Sequence, residues 1–87
     1  IETWGSFYLP LQSSIIMKHK YNFTVLYGTK IQKDSCNVTI FLDESREHIV
    51  KLSTNDFIMF PSNKSYYINS NQSHNINFIQ SMLYELK

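Results

Sequence analysis

The sequence predicts an all-β fold, a small β-sandwich or jelly roll of seven or eight short antiparallel strands. Three observations carry that expectation. The chain contains no Ala and only two Gly, while Ile, Phe, Tyr, Val and Thr are plentiful, a balance that suits pleated, half-buried surfaces better than helices. Short apolar runs are separated by turn signals at intervals of about ten residues, the spacing of sandwiches, jelly rolls and barrels. No long stretch carries the helical period of an amphipathic helix.

Taken in order, residues 4–9 (Trp-Gly-Ser-Phe-Tyr-Leu) are aromatic-rich and stop at Pro10, which fits a first strand or an extended arm over residues 1–10. Ile15 and Ile16 mark a short apolar pair within 14–17, enough for a second strand. Residues 21–27 alternate, with Tyr21, Phe23, Val25 and Tyr27 on one face and Asn22 and Thr24 on the other, so a strand is expected there, broken by Gly28. A polar loop follows over 30–35. Val38, Ile40 and Leu42 then alternate with Thr39 and Phe41, ahead of a charged turn at 43–47. His48 to Leu52 reads as the next strand, and Ser53-Thr-Asn-Asp56 as a turn by residue type. Phe57-Ile-Met-Phe60 is continuously apolar and ends at Pro61, the look of a strand buried on both faces. Residues 65–69 hold the Tyr66-Tyr67-Ile68 run. Ile76, Phe78, Gln80, Met82 and Tyr84 alternate towards the end, where 81–87 suits either a strand or a last helical turn.

With 87 residues there is room for one domain, and at that size only about 60–65% of the unfolded surface is buried on folding. No linker, repeat or low-complexity tract divides it. The formal net charge is +1, and its lysines are scattered, so there is no basic track for a phosphate backbone and nucleic acid is not an expected partner. Lys18 and Lys20, beside His19 and Tyr21, read as solvated charges that protect a sheet edge. Cys36 is alone and reads as a small buried hydrophobe rather than half of a disulfide. Asn-x-Ser/Thr triplets at Asn22, Asn37, Asn63 and Asn71 read as chance products of an Asn- and Ser-rich composition. No apolar run approaches the length of a membrane span, and no signal-peptide layout is visible. A soluble protein, intracellular or part of a virus particle, is expected, with no membrane partner.

The stretch from Phe23 to Ser81 carries a layout centred on Asn55-Asp-Phe-Ile-Met-Phe-Pro-Ser62, then Tyr66-Tyr67, then 69–73 (Asn-Ser-Asn-Gln-Ser). It resembles the C-terminal half of the double-stranded β-helix of prolyl-hydroxylase-like oxygenases that depend on iron and 2-oxoglutarate, over about two thirds of the chain. That resemblance implies an iron held by two imidazoles and a carboxylate, and an Arg that pairs with the co-substrate carboxylate. This chain departs from the pattern at each of those positions. No Asp or Glu lies between Glu2 and Asp34, so His19 stands alone in sequence. The distal His position is taken by Tyr66 or Tyr67, the Arg position falls beside His74 or Asn75, and Arg46, the sole arginine, lies in a turn. A neutral amide cannot replace the charged fork that a carboxylate requires.

Other chemistries find no better support. His19, His48 and His74 match no metal-ligand spacing. Cys36 has no local partner for a nucleophilic pair, and the acidic turn of Asp43, Glu44 and Glu47 lacks the spacing and Gly of an oxygen cage. Isolated Gly5 and Gly28 exclude a phosphate loop. The reading is therefore a domain with no catalytic, cofactor-binding or metal-binding residues, which binds a protein partner or itself, as a structural subunit of a larger assembly such as a virion. Alternatives are a sugar- or small-ligand-binding module, or an active cupin-like oxygenase. The aromatic excess, thirteen rings in a small chain, marks Trp4, Tyr8, Tyr66, Tyr67 and Tyr84 as candidate partner-binding anchors.

Overall fold

The computed structural model describes residues 1–86 and is all-β. Its strands are β1 (Glu2–Tyr8), β2 (Phe23–Lys30), β3 (Asn37–Phe41), β4 (Glu47–Lys51), β5 (Phe57–Pro61), β6 (Tyr66–Ile68) and β7 (Asn77–Tyr84). They pair antiparallel into a four-stranded sheet of order β1-β7-β2-β5 and a three-stranded sheet of order β4-β3-β6.

The core lies between the sheets. Leu26, Phe60 and Ile79 reach in from the larger sheet; Val38, Ile40, Tyr66 and Ile68 come from the smaller, and Ile31, Cys36 and Leu52 close it from the connections. Full burial of each aliphatic side chain contributes about 1.5–3 kcal/mol. The same inner space holds hydrogen-bonded polar groups: Thr24 Oγ1 with Ser62 Oγ at 2.7 Å, and Asn77, whose Nδ2 donates to Ser35 Oγ and whose Oδ1 accepts from the Gln32 amide. Among the described residues no buried side-chain nitrogen or oxygen is left without a partner, as low-dielectric burial demands.

Several local expectations change. β1 pairs with β7 along its whole length, from Glu2 opposite Leu83 to Tyr8 opposite Asn77, so the N-terminal stretch is a strand of the sheet rather than an arm. Residues 14–17 form no strand, only an isolated bridge from Met17 to Tyr66. Ser14 explains why: its hydroxyl accepts the Ile68 amide at 2.8 Å and so substitutes a side chain for a ladder partner. The segment is nevertheless tied along β6 by backbone bonds from Ser14 to Ile68 and from Met17 to Tyr66.

Gly28 does not end β2. The strand runs on to Lys30 with a register shift between Gly28 and Lys30, and the glycine is needed because a Cβ there would sit 2.3 Å from the Ser53 carbonyl oxygen. The expected turn at 53–56 packs against it, with Asn55 at a φ of 68°, a conformation asparagine tolerates. β5 is an edge strand, not one buried on both faces, because β2 alone pairs with it and Phe57 and Met59 stand exposed. β7 continues to Tyr84 in place of a helical turn; Lys87, the last residue of that expectation, lies outside the described residues.

Candidate functional site: the outer face of the four-stranded sheet

The oxygenase resemblance would put its iron in the inner space between the sheets. His19, in the β1–β2 connection, shares a 2.8 Å hydrogen bond between Nε2 and the Tyr66 hydroxyl. Trp4 meets the imidazole edge-on at 5.5 Å between ring centroids, and Phe60 meets Tyr66 in the same way at 5.0 Å. Burial pushes the Tyr66 phenol up to about 12, so it stays protonated. Burial also holds His19 below its usual value, while the charge of Glu2 acts in the opposite sense. Glu2 is thus a carboxylate near His19 in space, although the two are far apart in sequence; its Oε2 accepts the Tyr21 hydroxyl at 2.7 Å.

This constellation does not fit the implied iron, which needs two imidazoles and a carboxylate on one side of the metal. His48 and His74 are exposed on β4 and in the β6–β7 turn. Among the described residues no three His, Cys, Asp or Glu side chains are placed to hold a metal ion. Arg46 is committed to Asp43 at 2.7 Å in the β3–β4 turn. Burial pushes the Cys36 thiol up to about 11, where the nucleophilic thiolate is scarce at neutral pH.

The five aromatic candidates are dispersed. Tyr8 and Tyr66 are core residues; the Tyr66 ring is fully buried, with Phe60 and His19 on it, so it offers neither a partner anchor nor a sugar-stacking platform. Trp4 is half-buried against His19, and Tyr67 leans on Phe41 on the outer side of the smaller sheet. Tyr84 lies elsewhere, on the outer face of the larger sheet.

That outer face is where large apolar side chains concentrate. Strand alternation sends Thr24 and Leu26 inward and Phe23, Val25 and Tyr27 outward. The registers then set the outward residues in rows. Tyr84, Phe23 and Pro61 form one; Met82, Val25 and Met59 the next; Gln80, Tyr27 and Phe57 the third. The rows line an open groove of about 500 Å³, with Leu86 at its end. Phe57 and Met59 are 66% and 59% exposed, whereas Val25, between the two methionines, is only 8% exposed although it lies on the outward side of the sheet.

Polar atoms on the face are already engaged: the Tyr27 hydroxyl donates to Asn55 Oδ1 at 2.7 Å, the Tyr84 hydroxyl to Met82 Sδ at 3.6 Å, and the Gln80 amide to Thr3 Oγ1. None of the residues in the three rows carries a charge. Of these residues, Tyr84 alone had been singled out from the sequence. The signal for the others was available in the excess of rings over what a small core can enclose, together with the fact that the greasier side of both β2 and β7 is the uncovered one.

No protein-family model matches the chain, and no match is found among curated protein sequences. Solved structures do match. The crystal structure of Drosophila melanogaster CENP-C bound to CAL1 is similar with a TM-score of 0.79 at 17% identity, covering 93% of this chain and 62% of that one. The Drosophila melanogaster CENP-C cupin domain is similar at the same score and identity, covering 93% and 59%. The chain spans about three fifths of the length of these structures. At this identity the likeness establishes the fold, a cupin-type double-stranded β-helix, and nothing in it supports the narrower resemblance to prolyl-hydroxylase-like oxygenases. Among the described residues no helix is long and apolar enough to cross a membrane.

Proposed function

We propose that this domain binds protein without catalysing a reaction, and that the outer face of its four-stranded sheet is the contact surface, occupied by a second copy of the chain. The observation that carries the reading is the uncharged, apolar grid of Phe23, Val25, Tyr27, Phe57, Met59, Met82 and Tyr84. The grid is exposed at Phe57 and Met59 and half-buried at Phe23, Tyr27, Met82 and Tyr84, and contiguous apolar surface left open to solvent marks interaction sites in soluble proteins. A second copy is the fitting occupant for an electrostatic reason. A two-fold contact sets a patch against its own image, so each residue meets only what the same patch offers, and any charge within it would be buried dry unless the patch also supplied its opposite. This patch has none. Its two tyrosine hydroxyls already donate within the chain, so pairing strands neither of those donors.

A protein-binding role is further supported by the similar CENP-C structure, which was solved bound to CAL1. No feature of the surface favours the more specific expectation of a virion subunit. Sedimentation or light scattering over a concentration series tests the proposal. The wild-type chain is expected to form dimers, and Phe57→Glu, which places a carboxylate in the third row of the grid, is expected to be a folded monomer. A wild-type chain that remains monomeric up to about millimolar concentration, an affinity too weak to organise an assembly, would overturn self-contact.

A further inference from the structure

We infer that Met59 is an oxidative modification site, at which a hydroperoxide-class oxidant switches off the contact surface. The inference rests on the self-contact reading above. The chain has three methionines, in three different environments. Met17 is half-buried and packs against the core cluster. Met82 is half-buried, and its sulfur accepts the Tyr84 hydroxyl, which engages the lone-pair density an oxidant needs. Met59 is 59% exposed on an edge strand, and among the described residues no hydrogen bond engages its sulfur. Susceptibility to sulfoxide formation follows exposure, so the expected order of reaction is Met59, then Met82, then Met17.

The reaction balances with one peroxide. A sulfur lone pair attacks one peroxide oxygen, the O–O bond breaks, and that oxygen is transferred to sulfur. The proton it carried passes to the departing oxygen, so hydrogen peroxide leaves as water. Sulfur is oxidised by two electrons and the peroxide is reduced by two.

What makes this a switch is position. Met59 and Met82 flank Val25 in the middle row of the face. A sulfoxide oxygen is a strong acceptor, and its neighbours across the strand pair and along β5 are Val25, Phe57 and Pro61, whose side chains have no donor to give it. The nearest outward hydroxyl in the next row, that of Tyr27, already donates to Asn55. In the free chain water solvates the new oxygen; in the pair it is buried without a partner, once on each copy. Two such groups weaken the dissociation constant by about a hundredfold or more. Pairing covers the Met59 sulfur, and susceptibility follows exposure, so pairing should in turn slow oxidation of Met59.

The test treats the wild-type chain with hydrogen peroxide, maps the added oxygen by peptide mass spectrometry, and follows association by sedimentation before and after. Support consists of oxygen appearing first at Met59, loss of pairing in step with it, recovery on treatment with methionine sulfoxide reductases, and a Met59→Leu variant that pairs like wild type yet survives the oxidant. An untreated chain that never pairs overturns the self-contact reading and the switch with it. An untreated pair that persists once Met59 is oxidised, or one in which Met82 or Met17 reacts first, overturns the switch and leaves the self-contact reading standing.

Discussion

The two faces of the four-stranded sheet are built from the same strands, yet the one that faces the protein interior is the more polar. Inward point Thr24, Leu26, Phe60, Asn77, Ile79, Ser81 and Leu83; outward point Phe23, Val25, Tyr27, Phe57, Met59, Met82 and Tyr84. The inner face manages its largest polar groups by pairing them inside the fold, Thr24 with Ser62 and Asn77 with Ser35 and Gln32. The outer face carries larger apolar groups and leaves them uncovered. Hydrophobicity of a strand face therefore reports that the face is to be covered, without saying by what.

The largest expected effect lies on the inner face. Leu26 is fully buried against both sheets' side chains, and Leu26→Ala should cost about 3–5 kcal/mol through lost transfer energy and a residual cavity. That is a large share of the stability of a small domain, and a urea or thermal melt should show a midpoint lowered by roughly 15 °C or more. A loss below about 1 kcal/mol would mean that the inner face is not the core. The buried hydroxyl pair sharpens the same comparison. Thr24→Val alone strands Ser62 Oγ and should cost about 1–3 kcal/mol, whereas Thr24→Val combined with Ser62→Ala should recover most of it, because removing both partners of a buried hydrogen bond is far cheaper than removing one. Additive losses in that cycle would contradict the pairing.

Much of the architecture was legible beforehand, and the residues that misled share a cause. Strand existence followed from β-branched and aromatic runs between turn residues, which is why β2, β3 and β7 lie close to where alternation places them and β5 lies on its apolar run. The 14–17 segment was misread because Ile15 and Ile16 look like strand residues locally, while Ser14 supplies Ile68 with a side-chain partner only once the fold has brought them together. Gly28 looked like a stop signal, but its lack of a Cβ answers the Ser53 carbonyl, a contact across 25 positions that periodicity cannot encode. Phe57 to Phe60 read as doubly buried because four apolar residues in a row carry no alternation, and an edge position with one uncovered face produces the same letters. The pairing of Glu2 with Tyr21 and its nearness to His19 were equally out of reach, since β1 meets that connection only through its registration on β7.

On the outer face the comparison predicts a dissociation between stability and association. Phe57→Glu should leave the unfolding free energy of the isolated chain within about 0.5 kcal/mol, as exposed substitutions do, while abolishing pairing. Equal loss of both would place Phe57 in the fold rather than at a contact. A denaturation curve taken well below the association range, set beside a sedimentation series, separates the two outcomes.

The smallest effect belongs to His19, where the inner wall meets solvent. Burial lowers its folded-state value below that of the unfolded chain, Glu2 only partly offsetting this, so the unfolded state binds the proton more readily. By linkage, the contribution of neutral His19 is fully present above the ordinary histidine value of about 6.5 and is lost as pH falls from there through the depressed folded value. Stability should therefore decline gently on acidification across that window, and His19→Gln, which keeps a polar group near the Tyr66 hydroxyl but cannot titrate, should flatten that part of the profile. Urea midpoints measured at half-unit intervals between about pH 7.5 and 5 would show it. An unchanged slope in the variant would mean that other groups set the acid sensitivity, and that the Trp4–His19–Tyr66 cluster acts as packing alone.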